Sequence, residues 1–207
     1  MSWYEEHIVP RCVELACGQR QLAKPRARVA QGLSGTVLEL GFGSGLNLPF
    51  YPSGVTHILA VDPSALGRRL ARKRLAASAI PVEWRGLDGE ALDIPSGYAD
   101  GALCTFTLCT IPDAERALRE VHRVLKPNAP LHFLEHGRSP DDKVARWQNR
   151  LTPVQRRLAG GCHLNRPIAD LVRRAGFCLD ALDNYYVEGP KPFTYLYEGR
   201  ARACDCR

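Results

Sequence analysis

Residues Val37-Leu38-Glu39-Leu40-Gly41-Phe42-Gly43-Ser44-Gly45-Leu46-Asn47 carry the first chemistry legible in this chain. An apolar run reaches an acidic residue and then three glycines at alternate positions. Glycine has no Cβ, so the backbone can turn sharply and a ligand can approach it closely. A strand, a glycine loop and a helix start together form the nucleotide cradle of a doubly wound α/β domain. Other reactive side chains follow apolar runs further on: Asp62-Pro63-Ser64, Asp88-Gly89-Glu90, Thr105, Leu108-Cys109, Glu135-His136 and Gly161-Cys162-His163.

Two cofactors compete for such a loop, a dinucleotide and S-adenosylmethionine. The dinucleotide fingerprint is G-x-G-x-x-G/A, with a small residue where the helix packs on the strand. Here Leu46 stands at that position. S-adenosylmethionine has no pyrophosphate to cradle; it presents a sulfonium, an amino-acid tail and an adenosine. Glu39 suits its cationic end. Asp62 lies 21 positions after Gly41, near the place where a strand-end acid accepts hydrogen bonds from ribose hydroxyls. Asp62 and Ser64 are also good caps for a helix over 65–79, and the two roles are compatible. Asp88-Gly89-Glu90 follows another strand and is placed to hold an adenine edge.

The elements that must position these groups are readable in outline. Strands are expected at 56–61, around 82–84, at 98–109 and at Leu131–His136. Asp113 is a suitable N-cap for the helix ending near Leu125. Residues 3–21 show near-helical apolar spacing with Pro10 as a break or start, and 25–31 reads as a second short helix. Residues 140–159 form a basic helical insertion, 165–175 a helix stopped by Gly176, and 177–187 and 192–201 two closing strands. The expected fold is a single α/β domain, a Rossmann-like doubly wound seven-stranded mostly parallel sheet with an antiparallel last strand. Its parts are an N-terminal helical cap over 1–33, a catalytic core over 34–203 and a tail over 204–207.

At 207 residues, with 45% hydrophobic and 24% charged residues, the composition is that of one globular domain. No run approaches the ~18 apolar residues of a spanning helix, and the first twenty residues lack the apolar core of a signal peptide, so a cytoplasmic setting is expected. The formal charge of +6 comes largely from residues 68–74 and 11–28. No basic stripe interleaved with aromatics accompanies it, so no nucleic-acid partner is expected; the basic N-terminal helix offers at most weak contact with an anionic membrane. Eight cysteines stand at 12, 17, 104, 109, 162, 178, 204 and 206. There is no C-x-x-C, so no structural metal site is expected. Cys178, in an apolar run, reads as core packing, and Cys204-Asp205-Cys206 as a polar, oxidisable tail.

The glycine loop, the Val61-Asp62-Pro63-Ser64 strand end, the Asp88-Gly89-Glu90 loop and Ala117–Pro127 together resemble the class I S-adenosylmethionine-dependent methyltransferases, over roughly residues 30–200. Asn128 departs from the glycine frequent there, but asparagine tolerates the left-handed turn. The resemblance implies cofactor contacts at Glu39, Gly41, Gly43, Ser44, Asn47, Asp62, Pro63, Ser64, Asp88, Gly89, Glu90, Thr105 and Leu108, and an N-terminal cap that closes over cofactor or substrate. A narrower resemblance rests on Leu108-Cys109-Thr110, Phe133–His136, Arg146-Trp147-Gln148 and Gly161–Arg166. These are similar to the methyltransferase-like 7 group of thiol S-methyltransferases and its bacterial relatives. That similarity implies a small-molecule acceptor, a thiol or hydrogen sulfide. No counterpart of the animal members' N-terminal membrane anchor is expected, and their lipid-associated setting is not expected to transfer.

Methyl transfer from a sulfonium needs mainly alignment of the acceptor and exclusion of water, and a thiol acceptor must become a thiolate. His136, Cys109 and His163 are the candidate catalytic residues. His136 has the right unperturbed pKa to take a proton at neutral pH, Cys109 is a candidate pocket wall, and the loop carrying His163 could close the pocket. The alternative reading of His136 is a strand-end structural hydrogen bond, and that of the loop is Asn165 as a helix cap. Other readings are a phospholipid N-methyltransferase, a methyltransferase for a quinone precursor or other small metabolite, and a binding module without catalysis.

Overall fold

Strands β1 (Gly35–Leu40), β4 (Gly101–Thr105) and β5 (Leu131–His136) are mostly buried, the polar residues Glu39, Thr105, His132 and Glu135 included. Central strands covered on both faces are buried in this way. In the computed structural model, which describes residue 4 and residues 7–204, they are joined by β2 (Val55–Val61), β3 (Val82–Trp84), β6 (Phe177–Tyr186) and β7 (Tyr195–Ala203). The seven-stranded sheet has the order β3-β2-β1-β4-β5-β7-β6. Pairs among β1 to β5 are parallel, and β7 runs antiparallel to both β5 and β6. The chain grows outward from β1 to β3 and then returns to β4 on the other side. That reversal opens a crevice at the carboxyl ends of β1 and β4, where such sheets bind ligands.

Alternation along β1 sorts the two faces. Leu38 and Leu40 join one apolar cluster with Leu118, Val121, Phe133, Ile168 and Val172. Val37 joins the other with Val29, Ile58, Leu103 and Leu134. The eight helices used here are α1 (Val9–Cys17), α2 (Ala23–Ala30), α3 (Ala65–Leu70), α4 (Arg72–Ala77), α5 (Ala114–Val124), α6 (Asp142–Leu158), α7 (Ile168–Arg174) and α8 (Lys191–Thr194). In α5 the buried residues Ala114, Ala117, Leu118, Val121 and Val124 recur at helical spacing. Its first turn is capped by Asp113, whose carboxylate accepts from the Arg116 amide at 2.9 Å.

Several boundaries differ from the sequence reading. The helix expected over 65–79 is two short ones with a turn at Ala71, which nothing in the sequence marks. β4 ends at Thr105 because Phe106 takes a left-handed φ of 54°. Asn165 is not a helix cap: its amide donates to Asn149 Oδ1 at 2.9 Å, and α7 starts after Pro167, a residue suited to a helix start. Gly176 does stop it, at φ 95°. Residues 191–194 form one helical turn begun by proline, so the last strand starts at Tyr195 rather than Pro192. Pro10 sits in the first turn of α1, and Asn128 adopts the left-handed conformation (φ 62°). Cys178 is not core packing. It is exposed on edge strand β6 and forms a disulfide with Cys204; Cys206 lies outside the described residues.

Candidate active site

Two adjoining cavities open at the carboxyl edge of the sheet. The larger, about 760 Å³, is lined by the loops after β1, β2, β3 and β4 and by α1. Gly41, Gly43 and Gly45 all take positive φ (79°, 53° and 75°), which fits glycine at each. At Gly41 space is also decisive: a Cβ there would lie 1.8 Å from Thr107 Oγ1. Asp62 Oδ2 accepts from the Gly43 amide at 2.8 Å and Oδ1 from the Ser64 amide at 2.7 Å. Ser64 Oγ in turn caps α3 by accepting from the Gly67 amide at 2.9 Å. The acidic strand end and the helix cap are therefore separate side chains. Burial raises the Asp62 pKa against those two amide bonds.

Behind this cavity lies a buried polar knot. Glu39 Oε1 accepts from Asn47 Nδ2 at 2.8 Å and Oε2 from the Tyr51 hydroxyl at 2.6 Å. Asn47 Nδ2 also donates to Thr105 Oγ1 at 2.9 Å. Arg26, 4% exposed, donates to Asn47 Oδ1 at 2.6 Å, Thr105 Oγ1 at 3.0 Å and the Cys17 carbonyl at 3.1 Å. Burial pushes the Glu39 carboxyl up to about 7, opposed by its bonds to Tyr51 and Asn47 and by the nearby Arg26 charge. Glu39 is thus a support for Asn47, while Asn47, Arg26 and Thr105 line the cavity. On the opposite wall Asp88 Oδ1 accepts from the Glu90 amide at 2.8 Å, and Glu90 Oε1 from the Asp113 amide at 2.9 Å. Ser44 Oγ donates to Glu14 of α1, and Arg74 bonds the same Glu14 at 2.7 Å. These contacts fasten α1 over the glycine loop.

The smaller cavity, about 470 Å³, is lined mainly by apolar groups of α1, α8 and the loops around them, together with Cys109, His136 and Cys162. Phe106, Thr110, Cys17, Val9, Val13 and Ala159 line both cavities, so the two meet across these residues. Phe106 holds the strained positive φ at that junction, with the Arg26 guanidinium 5.2 Å from its ring centre. Such strain persists where the surroundings over-determine it. Here Glu135 Oε1 accepts from the Thr107 and Leu108 amides at 2.8 and 3.1 Å. Arg166 donates to the Leu108, Ile111 and Pro112 carbonyls.

His136 Nε2 lies 3.1 Å from Cys162 Sγ. Burial opposes a charged His136, but Cys162 and Glu135 outweigh it and raise its pKa. Hydrogen bonds from Cys109 and His136 pull the Cys162 thiol down, against burial. Cys109, by contrast, is raised by its bond to Cys162 and by burial. Burial lifts Glu135 to about 7. Of the sequence candidates, Cys109 and His136 line the smaller cavity, whereas His163 does not. Its ring and its amide both meet the Cys109 carbonyl, at 3.1 and 2.8 Å. Leu108 is buried in the core. Arg26, Tyr51, Arg166 and the role of Cys162 were missed; only Cys162, beside His163 in a loop read as pocket-closing, carried a signal.

The sequence matches a methyltransferase domain family over residues 38–133. It is 31% identical to a thiol S-methyltransferase of Homo sapiens over 210 residues, covering 94% of this chain and 80% of that one. It is 34% identical to a thiol S-methyltransferase of Rattus norvegicus, covering 79% and 67%. The chain belongs to the S-adenosylmethionine-dependent methyltransferases. It is also 31% identical to a phosphatidylethanolamine N-methyltransferase of Cereibacter sphaeroides over 65% of each chain. The crystal structure of an S-adenosylmethionine-dependent methyltransferase from Thermotoga maritima superposes with a TM-score of 0.68 at 21% identity, covering 96% of this chain and 99% of that one. The cofactor of this enzyme is S-adenosylmethionine, and the larger cavity fits it: a Cβ-intolerant glycine cradle, a carboxylate held by two amides, and a buried cation in the wall. None of the described helices is long and apolar enough to cross a membrane.

Proposed function

We propose that this methyltransferase S-methylates small thiols or hydrogen sulfide in the smaller cavity. The observation that carries the reading is the Cys162–His136 pair, 3.1 Å apart, in a mainly apolar cavity that meets the larger one at Phe106 and Thr110. The larger cavity is the cofactor site. Gly41, Gly43, Asp62, Ser64, Gly89 and Thr105 shape it, with Ser44, Asn47, Pro63, Asp88 and Glu90 beside them, Glu39 positioning Asn47, and Arg26 offering charge to a carboxylate tail. When bound, the cofactor supplies an electrophilic methyl group on its sulfonium.

The chain's own work is to bind and orient the acceptor, exclude water and take one proton. Apolar groups such as Val13, Leu164, Phe193 and Leu196 favour an uncharged thiol over its hydrated anion on entry. His136, the member of the pair whose pKa is raised and which is bonded to Cys162 through Nε2, accepts the thiol proton, and the thiolate left behind is the nucleophile. No lysine or arginine is among the described residues lining this cavity, so a phospholipid headgroup phosphate would lack a partner. That favours a thiol over the phosphatidylethanolamine reading.

Replacing His136 with alanine tests the assignment. The kcat/KM for methanethiol should fall about 100-fold or more, the scale of a lost proton acceptor, while S-adenosylmethionine affinity stays parental. Parental kcat/KM in this variant overturns the reading of the site.

A further inference from the structure

The spacing of the cysteines offers no linear metal motif, yet the fold assembles one from three separate segments. Cys109 comes from the turn after β4, His136 from the end of β5 and Cys162 from the loop after α6. One donor atom from each lies within 4.8 Å of the others. Both cysteines are buried. His136 Nε2 and Cys162 Sγ already stand 3.1 Å apart, and Gln155 Nε2 reaches the same sulfur at 3.9 Å.

We propose that Cys109, His136 and Cys162 form a three-ligand site for a soft divalent cation of the zinc class, with its fourth position facing the smaller cavity. Two sulfurs and one imidazole are the donor set zinc selects. Tetrahedral bonds of zinc length place neighbouring donors roughly 3.4–3.8 Å apart, so the three side chains need only small shifts to close on an ion. Their frame is preorganised. His163 holds the Cys109 carbonyl through two bonds, and Arg166 and Glu135 pin the same turn from either side. Glu135 Oε2 and His136 Nδ1 are both buried without a hydrogen-bond partner among the described residues, so polar groups at and next to the proposed ligand remain unsatisfied. All three ligands line the cavity. Three protein ligands with one open position is the arrangement of reactive zinc sites rather than closed structural ones.

The cation site stands without the thiol reading. A further step rests on that reading: the acceptor sulfur becomes the fourth ligand, its thiol proton is released to solvent, and the metal replaces the Cys162–His136 pair as the source of thiolate.

The test uses the full chain, purified without oxygen. Zinc content is measured after dialysis, and cobalt(II) is titrated into metal-free protein. The expected result is about one ion per chain with sulfur-to-cobalt charge-transfer absorption. Affinity should fall tenfold or more in Cys109→Ser and in Cys162→Ser, but not in Cys178→Ser/Cys204→Ser. Substoichiometric binding, a cobalt spectrum without the sulfur band, or parental affinity in Cys162→Ser overturns the site, as does a Cys109–Cys162 disulfide in the anaerobic protein. The parent's cobalt spectrum needs no variant to fold. Metal bound as described without thiol turnover supports the site while sinking the thiol assignment; thiol turnover by protein that binds no cobalt sinks the site and spares that assignment.

Discussion

Arg26 is the buried cation that holds the cofactor wall together, and its replacement by methionine has a calculable cost. Methionine keeps the apolar stem packed. It leaves Asn47 Oδ1, Thr105 Oγ1 and the Cys17 carbonyl without the donors now 2.6, 3.0 and 3.1 Å away. Thr105 Oγ1 keeps the Asn47 donor at 2.9 Å, so two buried acceptors are left unsatisfied, at about 1 kcal/mol each, or about 2 kcal/mol. Glu39, 1% exposed, also loses the nearby positive charge that opposes its burial. With that loss of nearby charge added, the cost is about 2–4 kcal/mol in all, a fall in Tm of roughly 10 °C for a chain of this size. Urea unfolding at neutral pH reads the loss directly. The double variant Arg26→Met/Glu39→Gln should cost less than the sum of the two singles by about 1–2 kcal/mol, because both act on one network. Calorimetric titration should show weakened S-adenosylmethionine binding. A loss below about 1 kcal/mol, or strict additivity, would refute the claim that this arginine anchors the wall.

Glu39→Gln should gain stability relative to the parent as pH rises. The folded carboxyl titrates near 7, above its ordinary value of about 4.5. Its stabilising contribution is therefore full below about pH 4.5 and lost as pH rises through 7, a relative gain of about 2 kcal/mol for the variant between about pH 5.5 and 8.5. A pH-independent difference in urea midpoints would contradict this. Gly41→Ala should lose cofactor binding by titration calorimetry, because the methyl meets Thr107 and φ is 79°; parental affinity would show that the loop has another conformation. Reducing the Cys178–Cys204 disulfide should lower stability by about 2–3 kcal/mol, measured as paired melts with and without reductant, with Cys178→Ser/Cys204→Ser indifferent to the reductant.

The lining of the larger cavity was legible in the sequence because it is local. A glycine loop, a strand-end acid and the residues between them lie on consecutive elements, so spacing alone placed Gly41, Asp62 and Ser64. Glu39 was legible as important, but not its posture; that depends on Asn47 and Tyr51, which a later turn brings beneath it. Arg26 was invisible, since a charged residue in a basic helical segment reads as surface until the fold encloses it. The lining of the smaller cavity was only partly legible for the same reason. Cys109, His136 and Cys162 come from three segments brought together by the sheet, and the sequence favoured His163, the neighbour that instead fixes the Cys109 carbonyl. Cys178 misled because an edge strand shows the apolar run of a buried one.

The central claim is that a small thiol is the acceptor. The direct measurement is S-adenosylhomocysteine release by the purified protein with S-adenosylmethionine and, in parallel, sulfide, methanethiol or phosphatidylethanolamine vesicles. Turnover with the two sulfur acceptors and none with the vesicles is the predicted result. Turnover on the vesicles alone would contradict the account and move the search for the acceptor to the lipid surface.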